Sequence, residues 1–271
     1  VNPIRNNKQN CQPKSVHSSH PKEIAEKQAK WLRPVLELGH LSILKRLDAV
    51  VACSLSLQET FNNDFRIRSL AVQNGVDTSV FYPIPQEQKR VLRKELGLDV
   101  EKRVYLVLGG LRYRKNVGLI IRAFSRLQCK DSLLLIVGGG PDEKHLRLMT
   151  EKINSIKFTG HTSTPLKFLQ ASDVLISASL NEGLPNTVLE AMACGLPSIL
   201  SNIGPHKELL VNSTIGVSFD PKSEEELMEC IGTSTSWNLV EKRDAIREYA
   251  EQHFGIGALA NKYTDIYQQL L

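Results

Sequence analysis

Val174-Leu175-Ile176-Ser177-Ala178-Ser179-Leu180 runs directly into Asn181-Glu182-Gly183-Leu184-Pro185-Asn186-Thr187-Val188-Leu189-Glu190-Ala191-Met192, and this junction decides the fold class. The first run is short, apolar and bounded by turn residues, the pattern of a buried strand. The second holds a carboxylate, a Gly-Pro turn and a helix start. In an open α/β sheet, ligands collect beyond the carboxyl ends of strands, where helix N-termini present unpaired amides. Glu182 leaves the strand, and Glu190 follows a turn or two into the helix. Both can face one polyol ligand, with the amides between them holding a phosphate. A solvated loop carboxylate and an ordinary helix-surface carboxylate are the plain alternative from local physics. The pattern suggests a site for a nucleotide-sugar.

Working outward, the chain alternates strand and helix from about Pro85 onward, as a parallel sheet requires. Strands are expected at Val104–Leu108, Leu133–Val137, Ile156–Thr159, Asp173–Ala178, Ser198–Ser201 and Val217–Phe219. Helices are expected near Val117–Leu127, Glu143–Ile153 and Pro165–Leu169, and the remainder looks helical. Gly255 and Gly257 break the stretch from Tyr249 to Leu271 into two helices. Gly138-Gly139-Gly140-Pro141 lacks the Lys-Ser/Thr ending of a P-loop and the spacing of a dinucleotide fingerprint, so it reads as a turn lining the cleft. The front is different. Pro21 to Leu47 is helix-forming with Trp31, Leu36, Leu41 and Leu44 at apolar positions, and Pro34 interrupts it. Asp48–Ser54 and Ser69–Gln73 look like two strands.

The 271 residues suffice for one large domain or two small ones, and the composition is that of a globular protein. No apolar run approaches the roughly 18–20 residues of a membrane span. The start at Val1 shows no apolar signal region, and Cys11, Cys53, Cys129, Cys194 and Cys230 are odd in number and scattered. They form no metal spacing or disulfide framework, so the expectation is a reducing cytoplasm. Up to Ser69 there are eleven Lys and Arg against six Asp and Glu, the same excess as the whole chain's +5. This basic front is a solvated face or a surface drawn to anionic lipid, at about 1 kcal/mol per basic residue. No nucleic-acid motif or aromatic stacking platform accompanies it. Peripheral placement at the inner face of the membrane is therefore the refinement of the cytoplasmic expectation.

Four motifs in order carry a resemblance to a known family. Glu182 to Glu190 resembles the E-x7-E element of the retaining glycosyltransferases of family 4, the group 1 transferases with two Rossmann-like domains in GT-B arrangement. Asn74-Gly75-Val76-Asp77 with Phe81-Tyr82-Pro83 is similar to that family's interdomain signature, and Gly109-Gly110-Leu111-Arg112-Tyr113-Arg114-Lys115-Asn116 to its phosphate loop. Glu190-Ala191-Met192-Ala193-Cys194-Gly195-Leu196-Pro197 continues the donor-site helix. The resemblance implies an α/β fold with three parts: residues 1–82 as a partial acceptor domain, 83–254 as a complete nucleotide-sugar domain, and 255–271 as a terminal helix packing back on the front. The first part of the acceptor domain is expected to be missing from the chain.

It also implies roles. Lys115 and Arg114 sit on the donor diphosphate, where a fixed cation stabilises the charge gathered by the leaving group. Many relatives carry arginine where Gly110 stands, and either Arg112 or Arg114 compensates. Glu190 accepts from the ribose hydroxyls and Glu182 faces the transferred sugar. Gly109 and Gly110 line the phosphate, and Gly183, Leu184 and Pro185 approach the sugar through backbone. Asn186 and Thr187 offer amides to phosphate. Ser15-Val16-His17 resembles the family's acceptor-side segment, which makes His17 a catalytic candidate. No Asp-x-Asp pair is present, so no metal or other cofactor is expected.

The implied activity is transfer of a hexose from a nucleotide-diphosphate sugar to a glycan or lipid-linked acceptor, with retention, in polysaccharide or glycolipid synthesis. The alternatives are a donor-binding module without catalysis of its own, either completed by a separate acceptor subunit or simply truncated, and a nucleotide-sugar epimerase.

Overall fold

The computed structural model describes residues 41–270. Its front part is a two-stranded parallel sheet of β1 (Val51–Ala52) and β2 (Leu70–Ala71), joined through helix α1 (Leu55–Asn63). The two expected front strands thus shrink to two residues each, and α1 between them was not anticipated. Ser54 starts α1 by accepting the Leu57 amide on its side chain, and Leu57 and Phe61 pack onto Leu44, Val50, Ala52 and Ile67.

The second part opens with α2 (Gln86–Glu95) and holds six parallel strands. In chain order these are β3 (Arg103–Leu108), α3 (Val117–Leu127), β4 (Ser132–Val137), α4 (Glu143–Leu148), β5 (Ile156–Gly160), α5 (Leu166–Ala171) and β6 (Val174–Ser177). Then come α6 (Asn186–Ala193), β7 (Ser198–Ser201), α7 (Gly204–Lys207), β8 (Gly216–Phe219), α8 (Glu224–Ser234), α9 (Leu239–Phe254) and α10 (Ile256–Leu270). The sheet order is β5-β4-β3-β6-β7-β8. All the expected strands of this part form. Helix α4 stops short of its expected end, because Thr150 and Ile153 bond three residues back, to Arg147 and Thr150 (3.0 and 2.9 Å), in turns.

Alternation along the strands builds two cores. Leu106, Leu135, Leu175 and Leu200 meet Phe168, Leu189, Ile246 and Phe254 on one face. Tyr105, Leu134, Ile136 and Ile199 meet Ile120, Phe124, Leu227 and Ile231 on the other. Covering on both faces explains why β4 is buried at all its positions.

At the amino end of β6, Asp173 accepts from Lys89 Nζ (2.6 Å), Arg93 Nη2 (2.5 Å) and the Val104 amide (2.8 Å). Arg93 also donates to the carbonyls of Ala171, Val100 and Lys102, so this buried cluster bolts α2 to the base of the sheet. Burial opposes the charge on Asp173, but Lys89 and Arg93 outweigh it and hold the carboxyl below its ordinary value.

The interdomain segment is tied down at several points. Val76 donates to the Phe254 carbonyl (2.7 Å), and Arg247 donates to the carbonyls of Phe81, Thr78 and Ala193. Gly75 faces Leu259 of α10, and Ile266 and Leu270 share a groove with Leu44 and Leu47. Only Gly255 breaks the terminal helices. Gly257 lies in the first turn of α10, where amides lack intrahelical partners anyway and glycine does little harm.

Candidate active site

The order β5-β4-β3-β6-β7-β8 reverses direction between β3 and β6, so a crevice opens beyond their carboxyl ends. The loop after β3 (Gly109 to Asn116) and the loop after β6 (Ala178 to Pro185) meet there. They are stitched together by the Leu180 amide, which donates to the Arg114 carbonyl (2.8 Å). A third wall is the glycine loop after β4. A Cβ on Gly138 would lie 1.8 Å from the Gly109 carbonyl oxygen, and its φ is +145°, so only glycine lets the two loops approach.

Glu182 is buried, and both of its oxygens are held. Ser179 Oγ donates to Oε1 (2.7 Å), Lys115 Nζ donates to the same oxygen, and Arg114 Nη1 donates to Oε2 (3.0 Å). A carboxylate has about four acceptor directions, so one remains on Oε2. Burial pushes this carboxyl up, but Lys115, Ser179 and Arg114 together prevail and hold it below the ordinary range. It stays ionised at neutral pH.

Glu190 differs. About one turn along α6, its carboxylate takes no hydrogen bond or ion pair from the described residues, and burial lifts its carboxyl above the ordinary value. It lines a cleft of about 400 Å³ with Gly109, Gly110, Arg112, Gly139, Thr187 and neighbouring residues. A smaller hollow beside it shares Gly109, Gly110 and Thr187 and adds Lys115 and Pro185. The Val188 amide bonds back to Pro185 (3.0 Å), but the Asn186 and Thr187 amides at the start of α6 have no intrahelical carbonyl to bond, which suits an anion beside them.

The two arginines separate. Arg114 is committed to Glu182 and to the Asn181 carbonyl (3.2 Å). Arg112 is exposed on the cleft, and its Nε lies 3.8 Å from where a Cβ of Gly110 would stand. Gly183 brings the loop against the front part, since a Cβ there would sit 2.9 Å from Cys53 Sγ. Leu184 turns its side chain into the core, and its carbonyl accepts from Asn74 Nδ2 (3.1 Å), which also donates to Asn186 Oδ1 (2.9 Å). His17 lies outside the described residues.

Sequence reading missed three groups. Glu208 accepts from the amides of Leu55 and Ser56 (2.9 and 2.7 Å) and from Gln73 Nε2 (3.1 Å), capping α1 of the front part from the loop after α7. Ser179 was read only as part of a strand. His206 is fully buried beneath the site, with Nδ1 against Ser201, and burial pushes it down to about 4. A histidine among Ile203, Gly204, Pro205 and Lys207 gives no periodic signal of burial. Among the described residues, no group of three or more His, Cys, Asp or Glu is placed to hold a metal, and no helix is long and apolar enough to cross a membrane.

Known proteins share the family and the fold of this chain. Residues 88–253, well over half the chain, match the family described as glycosyl transferases group 1. The N-acetyl-alpha-D-glucosaminyl L-malate synthase of Bacillus anthracis is 26% identical over 251 residues, covering 84% of this chain and 61% of that protein. The chain spans about three fifths of the length of such relatives. Two solved structures share the fold. Anabaena HepE, in complex with UDP and glucose, has a TM-score of 0.78 at 20% identity, covering 90% of this chain and 68% of that one. A glycosyltransferase from Rickettsia africae has 0.75 at 19%, covering 92% and 80%. The architecture is thus the GT-B type, and the chain belongs to the glycosyl transferases of group 1.

Proposed function

We propose that this chain binds a nucleotide-diphosphate sugar across the crevice between β3 and β6 and serves transfer of its hexose to a glycan or lipid-linked acceptor with retention. One observation carries the reading: a buried carboxylate, Glu182, is fixed by two cations and a serine with one acceptor direction left, a few residues from the unpartnered Glu190. Two carboxylates in one crevice, one clamped and one open, suit a ligand with two sets of hydroxyls.

The ribose is assigned to Glu190 and the diphosphate to the glycine loop, the α6 amides and Lys115. Lys115 has three donors and gives one to Glu182, so it can bridge the sugar-facing carboxylate and the phosphate. As the glycosidic bond breaks, charge grows on the diphosphate, and fixed cations there stabilise the transition state most. Arg112 adds a second cation from the cleft side. The diphosphate leaving group then helps deprotonate the acceptor hydroxyl on the same face. No metal step is invoked.

The test is calorimetric titration with UDP, ADP and GDP, with and without chelator, followed by product analysis with the matching sugar nucleotides. Binding that survives chelation and weakens in Lys115→Ala supports the reading. Binding only with a divalent metal, or epimerised donor as the product without acceptor, contradicts it.

A further inference from the structure

Beneath the crevice a chain of hydrogen bonds leads away from Glu182. Ser179 Oγ donates to Glu182 Oε1 (2.7 Å), and the carbonyl of the same Ser179 accepts from Ser201 Oγ (2.6 Å) at the end of β7. Ser201 is met in turn by His206 Nδ1, which lies 2.9 Å from its carbonyl oxygen and 3.0 Å from its hydroxyl. A carbonyl can only accept, so Nδ1 carries the ring proton. The single hydroxyl proton of Ser201 is spent on Ser179, so the hydroxyl accepts from the ring. The bond directions therefore run one way, from His206 through Ser201 to the Ser179 peptide.

His206 has no exposed surface, and its Nε2 is a buried acceptor without a partner among the described residues. A buried polar atom left unsatisfied calls for an explanation. Hydrogen bonding on both sides of the ring does not account for this histidine. The donor at Nδ1 does.

We propose that His206 is a positioning residue for Glu182, holding the exit of β6 through Ser201 so that the Ser179 hydroxyl and the sugar-facing carboxylate keep their places. This rests on the assignment of Glu182 to the sugar. The Ser179 carbonyl and hydroxyl are anchored at opposite ends, to β7 and to Glu182, so slackening one shifts the other. A misplacement of about 1 Å in such a site is enough to cost turnover.

The experiment uses His206→Leu, His206→Asn and Ser201→Ala in the full chain, with Glu182→Gln beside them. Leu and Asn are alike in size, but only Asn keeps a donor near the Nδ1 position. Each protein is titrated with UDP, ADP and GDP and with UDP-glucose, ADP-glucose and GDP-mannose. The quantity read is the extra affinity that the sugar adds in the best-binding pair. His206→Leu and Ser201→Ala should reduce it by about five- to ten-fold, as for one lost hydrogen bond. His206→Asn should keep it, and nucleoside-diphosphate affinity should stay within about two-fold throughout. A space-filling role would instead lower nucleotide affinity and melting temperature together, and Asn would fall at least as far as Leu. That outcome, or an unchanged sugar increment in His206→Leu while Glu182→Gln removes it, overturns the link. If Glu182→Gln leaves the increment intact, the assignment of Glu182 falls, and the proposal with it.

Discussion

Strand β6 carries a carboxylate clamped by two cations at each end, and the two clusters do different things. At its amino end Asp173 lies between Lys89 and Arg93, whose side chains are 15% and 4% exposed. At its carboxyl end Glu182 lies between Arg114 and Lys115, which are 25% and 21% exposed. The carboxylates are about equally buried, being 9% and 7% exposed. The cations of the lower cluster close on backbone carbonyls, and Lys89 and Asp173 also line a hollow of about 230 Å³ at the base of the sheet. Lys115 of the upper cluster instead borders the glycine loop in the crevice where the strand order reverses. A depressed carboxylate with paired cations is therefore no mark of function by itself. Its place at the end of the sheet where the strand order reverses is what counts.

The comparison breaks most sharply at Asp173. Asp173→Ala leaves Lys89 and Arg93 buried without their counter-ion and should cost about 3–5 kcal/mol of stability in urea unfolding. Nucleoside-diphosphate affinity of the folded protein should hardly change. The charge on Asp173 also sets an acid limit. Its folded value is depressed, so its contribution is present above the unfolded value of about 3.9 and is lost as pH falls through the folded one. A loss under about 1 kcal/mol in Asp173→Ala would show that this cluster is a surface-like pair after all.

His206 sharpens the contrast from beneath the upper cluster. Burial holds it down to about 4, against the opposing pull of the Ser201 bond and the Glu182 charge and with Lys115 acting in the same sense as burial. The unfolded histidine takes a proton below about 6.5, while the folded one refuses it until about 4. Stability is thus full above pH 6.5 and falls by roughly 3 kcal/mol as pH drops to 4. Urea unfolding across this range should show a flatter profile in His206→Asn than in the parent. Identical profiles would mean that the ring already titrates freely.

At the upper cluster itself the expected effects are on ligand, not on folding. Lys115→Ala should weaken nucleoside-diphosphate binding by about 1.5–3 kcal/mol, roughly ten- to a hundred-fold, with a smaller change in stability than Asp173→Ala. Calorimetry and urea unfolding on the same sample separate the two. A stability loss as large as that of Asp173→Ala, with affinity unchanged, would make both ends of β6 structural.

The upper cluster was legible in the sequence and the lower one was not, for physical reasons. Glu182, Lys115 and Arg114 sit beside glycines and a Gly-Pro turn directly after apolar runs, and such punctuation marks strand ends. Lys89 and Arg93 lie on a polar helix, Gln86–Glu95, whose buried residue is Arg93 with Leu92 only partly buried beside it, so hydrophobic periodicity passed over it. The six strands of the sheet were readable because both of its faces are covered and the runs are almost wholly apolar. The front strands were overdrawn, because a pairing of two residues leaves little pattern. The different surroundings of Arg112 and Arg114 needed coordinates, since both lie in one loop and only one of them bonds Glu182. Glu208 follows β7 in a polar stretch, and its partners at the start of α1 stand far away in sequence. His206 bonds back to nearby Ser201 and is hidden only because its neighbours give no signal of burial.

The most direct measurement compares Glu190→Gln with Glu182→Gln by calorimetry, using a nucleoside diphosphate and its sugar conjugate. Glu190→Gln should weaken both ligands alike, by about ten-fold, because its proposed partner is the ribose. Glu182→Gln should leave the free nucleotide nearly unaffected and weaken only the sugar-bearing donor. The reverse pattern, with Glu182→Gln weakening both ligands and Glu190→Gln weakening only the conjugate, would contradict the assignment of the two carboxylates.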